Sequence, residues 1–84
     1  MPENFIVTIT NTQGTFEIDL QIPARLRVSE FEGKLLEILK MMGQGEFRRW
    51  SRLQMSLEGR ILRGGETLAS AAVFDGSRIV VAEI

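Results

Sequence analysis

Hydrophobic and polar residues alternate from Phe5 to Thr10, with Phe5, Val7 and Ile9 on one side and Thr8 and Thr10 on the other. A period of two is the mark of a strand with one buried face. Ile6 breaks the polar side, so both faces are partly apolar near the start. Asn11-Thr12-Gln13-Gly14 reads as a turn, because Asn and Gly tolerate the backbone angles it needs. The alternation then restarts, with Phe16, Ile18, Leu20 and Ile22 set against Glu17, Asp19 and Gln21. The two runs predict an antiparallel hairpin, ended by Pro23, which cannot donate to a ladder.

The period changes at Ser29. Ser29-Glu30-Phe31-Glu32 has the spacing of a capping box, with Ser29 and Glu32 each bonding the other's backbone NH. Phe31, Leu35, Leu36, Ile38, Leu39 and Met42 follow at helical spacing, and Glu32, Lys34, Glu37 and Lys40 lie largely opposite. The pattern predicts a helix over 30–42, with a Glu30–Lys34 pair at i,i+4 and Gly43 as its stop. Gly33 inside it suggests a close backbone contact. Leu53, Met55 and Leu57 alternate with Arg52, Gln54 and Ser56, a third strand. Glu58-Gly59 turns into a short strand over 60–63. Gly64-Gly65 opens a loop, for which glycine supplies positive φ. Thr67 to Val73 is compact and rich in small residues, Asp75-Gly76 is a further turn, and 78–84 is a β-branched last strand. One amphipathic helix must cover its apolar face on the sheet these strands make. The last strand belongs mid-sheet beside the first. The predicted class is α+β, a β-grasp with one long helix across a mixed sheet, as a single domain over 1–84.

Composition narrows the chemistry. Of 84 residues, 44% are hydrophobic and 25% charged, a globular balance. A chain this short buries only about 60–65% of its unfolded surface, so its stability is modest. There is no cysteine, histidine or tyrosine. Disulfides, thiol nucleophiles, zinc ribbons and the commonest general base are thereby excluded. The serines have no histidine to activate them. Glu17 and Asp19 are paired at i,i+2, a spacing open to acid/base or metal work, but they read as the solvated side of the hairpin. Gly43-Gln44-Gly45 follows a helix instead of leading a strand into one, so it is no phosphate loop. The sequence predicts no enzyme, no catalytic residue, no cofactor and no metal. No run approaches the about 18 apolar residues of a membrane span, and Met-Pro-Glu-Asn has no basic signal-peptide start. The expectation is a cytoplasmic protein without membrane insertion.

Net charge is −1, which does not point to nucleic acid. Its distribution is uneven: net −3 over 1–39, +4 over 40–63 and −2 over 64–84. The basic block centres on Phe47-Arg48-Arg49-Trp50-Ser51-Arg52. Trp and Arg are the residues most enriched in binding hot spots. Arg48, Arg49, Trp50 and Arg52, with Arg60 and Arg63 on the following hairpin, form the candidate protein-binding surface, suited to an acidic protein partner. Phe47 and Trp50 either fold against the sheet edge as core or stand out as anchors, and the sequence leaves both open.

The C-terminal half resembles ubiquitin in Leu57-Glu58-Gly59-Arg60-Ile61-Leu62, Gly65-Glu66-Thr67-Leu68, Val73, Asp75-Gly76 and Arg78-Ile79-Val80-Val81. The N-terminal half narrows the likeness. Gly14-Thr15-Phe16-Glu17-Ile18-Asp19-Leu20, Ile22-Pro23 and Val28, with Asp75-Gly76-Ser77-Arg78-Ile79 near the end, are similar to the small YukD/EsaB family. That family accompanies the bacterial type VII system exporting WXG-motif proteins. The resemblance implies an adaptor that docks on secretion-machinery proteins. Conjugated ubiquitin relatives and sulfur carriers end in Gly-Gly. This sequence ends Ala82-Glu83-Ile84 and its Gly64-Gly65 is internal, so no covalent conjugation through the C-terminus and no carrier role are expected. Ubiquitin's apolar recognition patch falls on Ser56 and Ala82, where Arg52 and Gln54 complete a polar face. An alternative from another class is the small ubiquitin-like subunit of a toluene-type monooxygenase, which gene neighbourhood would separate from a secretion component.

Overall fold

In the computed structural model, which describes residues 3–42 and 45–84, the alternating runs form the strands they predict. β1 (Asn4–Asn11) and β2 (Glu17–Pro23) pair as an antiparallel hairpin in the register Phe5↔Ile22, Val7↔Leu20, Ile9↔Ile18. α1 (Val28–Met42) follows, then β3 (Leu53–Leu57), the two-residue β4 (Arg60–Ile61) and β5 (Arg78–Glu83). The sheet order is β2-β1-β5-β3-β4. β5 runs parallel to β1 and antiparallel to β3. The last strand is thus central, as its β-branched composition predicts.

The inner sheet face carries Phe5, Val7, Ile9, Leu53, Met55, Ile79 and Val81, all buried. Val28, Phe31, Leu35 and Leu39 of α1 close the core from the other side. On β2 only Ile22 is fully buried, and Ile18 and Leu20 stay half-exposed because an edge strand lies partly beyond the helix's cover. Leu36 and Ile38 flank the buried helix row and are half-buried, and Met42 is exposed.

Four local expectations change. The helix starts before the capping box. Phe31 NH bonds the carbonyl of Arg27 at 2.9 Å, which makes Arg27 the cap residue. The freed NH groups of Val28 and Ser29 go to the carbonyls of Glu66 (2.8 Å) and Gly64 (3.3 Å). Tertiary acceptors therefore do what Ser29 was expected to do, and Glu32 pairs with Arg52 instead of reaching back. The Glu30–Lys34 pair is also absent: among the described residues the ion pairs are Arg52–Glu32 at 3.4 Å and Arg78–Glu17 at 2.7 Å. Gly33 marks no close contact, since a Cβ there would meet nothing within 4 Å. Gly64 and Gly65 do form a turn, but neither takes positive φ. Gly64 instead lies against the helix start, where a Cβ would stand 3.4 Å from the Cβ of Ser29. The expected helix stop at Gly43, the Gly43-Gln44-Gly45 segment except for Gly45, and Met1-Pro2 lie outside the described residues.

Candidate protein-binding surface

The basic connection is organised by one aromatic. Gly45 to Arg49 make a turn, closed by Arg48 NH to Gly45 O (3.3 Å) and Trp50 NH to Phe47 O (3.2 Å). The turn drives Phe47 inward to 1% exposure. Its ring meets Phe16 edge-on at 5.0 Å and Trp50 edge-on at 4.8 Å, spacings at which such pairs attract. Phe47 is core. Trp50 is half-buried on top of it, so it serves the fold with one face and presents the other. Arg48 and Arg49 point outward and are exposed.

Beside Trp50 lies a hollow of about 300 Å³ bordered by Asn11, Thr12, Gln13, Glu46, Val81, Ala82 and Glu83. Asn11 holds this end together. It is 3% exposed. Its Oδ1 accepts from the NH groups of Thr15 (2.9 Å) and Phe16 (3.3 Å), and its Nδ2 donates to Thr15 Oγ1 (2.8 Å) and the Glu46 carboxylate (3.2 Å). Asn11 thus ties the β1–β2 turn to the basic connection. Only its place in a turn motif was legible in the sequence.

The six candidate residues do not form one surface. Arg48, Arg49, Trp50 and Arg52 gather before β3, at the end of the molecule that holds the β1–β2 turn. Arg60 and Arg63 follow β3, and Arg60 borders a different cleft with Ala72, Phe74 and Arg78. A five-residue strand separates the groups, roughly 17 Å of extended chain. Arg52 leaves the expected sheet-face row, because its Nε meets Glu32 Oε2 on the helix at 3.4 Å. Gln54 is exposed there, with Ser56 and Ala82 half-buried. The face is less polar than expected: Ser56 pairs with Val80 on one side and with Ile61, 55% exposed, on the other.

Glu17 and Asp19 are on the exposed side of β2, where Arg78 pairs with Glu17 and the Thr8 hydroxyl donates to Asp19 Oδ1 at 2.7 Å. Among the described residues no cluster of three or more acidic, histidine or cysteine side chains is set to hold a metal. Among them, too, no helix is long and apolar enough to cross a membrane.

The family described as "WXG100 protein secretion system (Wss), protein YukD" matches residues 5–81. The chain belongs to the YukD family. It is a secretion-associated ubiquitin-like protein. No curated protein matches this YukD-family chain. A chain of the MycP5-free ESX-5 inner membrane complex in State II is similar at 26% identity and TM-score 0.77, covering 99% of this chain and 21% of that one. The YukD-family chain therefore spans about a fifth of that protein's length. The EccD5 ubiquitin-like domain from Mycobacterium xenopi shares the fold at TM-score 0.79 and 22% identity, over 99% of this chain and 97% of that domain. Caldiarchaeum subterraneum ubiquitin does so at TM-score 0.68 and 21% identity, over 96% and 94%.

Proposed function

We propose that this chain is an adaptor of a bacterial type VII secretion system that works in the cytoplasm by non-covalent docking on protein components of the machinery, with no turnover. The family match over residues 5–81 carries this reading. The similarity at 26% identity to a chain of a secretion-system inner membrane complex supports it. The internal Gly64-Gly65 pair has a structural use, since Gly64 O receives the NH of Ser29.

The docking surface in this reading includes the end bearing Arg48, Arg49 and the open face of Trp50, with Arg52 beside it. Arg60 and Arg63, expected with them from the sequence, lie beyond β3 on a separate surface. Exposed charges at a rim chiefly speed association, and they are screened over about 8 Å at physiological ionic strength. The test is capture from native-host lysate followed by mass spectrometry, with wild type and Arg48→Glu/Arg49→Glu as bait. The expected result is that wild type retains secretion components, salt weakens their capture, and the double reversal loses them while its melting temperature stays the same. Capture without any secretion component overturns the adaptor reading. Equal capture and equal salt dependence for the two baits removes Arg48 and Arg49 from the docking surface.

A further inference from the structure

β2 lies at one edge of the sheet, with β1 as its single neighbour. Ala24 NH donates to the carbonyl of Glu3 at 2.9 Å, which makes these two a hydrogen-bonded pair of the antiparallel ladder. Such pairs alternate with non-bonded ones. Ile18, Leu20 and Ile22 therefore direct their NH and carbonyl groups to β1, and Glu17, Asp19 and Gln21 turn theirs outward. β1 has the same phase. Ile6 and Thr8, opposite Gln21 and Asp19, turn away from β2, and their NH groups meet Asp75 Oδ1 (2.8 Å) and Ser77 O (2.9 Å). Among the described residues nothing bonds the outward backbone groups of Asp19 and Gln21. The same strand lacks cover on its inner face, where Ile18 and Leu20 are half-exposed. Pro23 closes the row, with no NH to give and a carbonyl that already accepts from Leu26 NH at 3.2 Å.

We propose that this edge receives a second copy of the chain, β2 against β2, antiparallel about a two-fold axis at Leu20, so that two sheets join into one. The backbone sets the class of occupant: a row of outward NH and carbonyl groups is matched by another extended strand. The side chains then fit the second copy. With Leu20 on the axis, Asp19 of each copy lies opposite Gln21 of the other, where the amide donates to the carboxylate. Ile18 lies opposite Ile22 and Leu20 opposite Leu20, so apolar residues meet on the inner face and the half-exposed pair gains cover. Both Asp19–Gln21 rungs are complete, and the ladder ends at Pro23. Moving the axis to Asp19 would set two carboxylates directly against each other, an unfavourable cross-strand pair. Glu17 meets no acidic residue in this register: it lies opposite Pro23 and is bound by Arg78 of its own sheet at 2.7 Å. The other sheet edge, β4, has two residues, too few to receive β2. Association therefore closes as a symmetric pair and does not continue head to tail.

The test is sedimentation equilibrium of the full chain, with amide hydrogen exchange at low and high protein concentration. The average mass is expected to rise from 9.5 kDa towards twice that value between about 10 µM and about 1 mM. Added protection should appear at the NH groups of Asp19 and Gln21, and not at those of Ile18 and Leu20, which β1 already holds. Gln21→Pro removes one outward NH and none that β1 uses, so it should abolish association with the melting temperature little changed. Gln21→Lys sets an ammonium against Asp19 of the other copy and should tighten the pairing about threefold or more, and Gln21→Glu should weaken it by a similar factor. If Gln21→Pro does not fold, the two charge variants give the reading. The proposal is overturned by a mass that stays at 9.5 kDa, by a mass that grows beyond the dimer, by protection gained elsewhere, by Gln21→Pro associating as wild type, or by charge variants of equal affinity. None of these outcomes depends on lysate capture, so the pairing and the adaptor reading fail separately.

Discussion

Replacing Gly33 with alanine should stabilise the domain. Gly33 lies inside α1, it is solvent-exposed, and its φ is not positive. A Cβ built there touches nothing within 4 Å. The methyl group therefore meets no obstacle and buries almost nothing, which leaves only backbone terms. Alanine is preferred to glycine in a helix interior by about 1 kcal/mol, mostly because glycine gives the unfolded chain extra freedom to lose. For a domain of this size that corresponds to a rise of roughly 4–8 °C in Tm. The chain has a single tryptophan, Trp50, whose ring packs on Phe47, so its fluorescence reports unfolding directly. Urea titration should show a midpoint raised by roughly 0.5–1 M with an unchanged slope, since the surface exposed on unfolding barely changes. An unchanged or lowered midpoint would refute the reasoning, and would mean that α1 approaches a neighbour at Gly33 more closely than the structure has it.

Leu35→Ala removes a fully buried side chain from the helix–sheet contact and should cost about 2–5 kcal/mol, measured by the same titration. An undiminished midpoint would contradict the packing of α1 on the sheet. Asn11→Ala strips the acceptor from the NH groups of Thr15 and Phe16 and should cost about 1–3 kcal/mol. Amide exchange should speed up at those two positions first, and unchanged exchange there would show that the network does not hold the turn.

The fold was legible wherever a residue's face is set by its neighbours in sequence. The alternations around Val7, Leu20 and Met55 and the helical spacing of Phe31, Leu35 and Leu39 specify which side is buried before any partner is known. The errors arise where a long-range partner decides. Ser29 and Glu32 have the spacing of a cap, yet the carbonyls of Gly64 and Glu66 reach the helix start first. Lys34 was expected to meet Glu30, while the pair that forms, Arg52–Glu32, joins residues twenty apart. The candidate surface was legible as composition only. A run of charge says nothing of the strand that separates Arg52 from Arg60, and Phe47 and Trp50 look alike until Phe16 is seen to take one of them into the core.

The central place of β5 has a consequence for the order of assembly. β1 and β3 are not neighbours: each pairs with β5, and no ladder joins them directly. Until Arg78–Glu83 is in place, the molecule consists of a β1–β2 hairpin and a β3–β4 hairpin sharing no sheet. Two-stranded hairpins are marginal in water on their own. The carbonyls that receive the first NH groups of α1 also come late, at Gly64 and Glu66. The two hairpins and α1 therefore gain little lasting structure by themselves, and the six residues of β5 close the sheet by uniting segments far apart in sequence. Contacts of such long range make folding slow relative to helical domains of equal size.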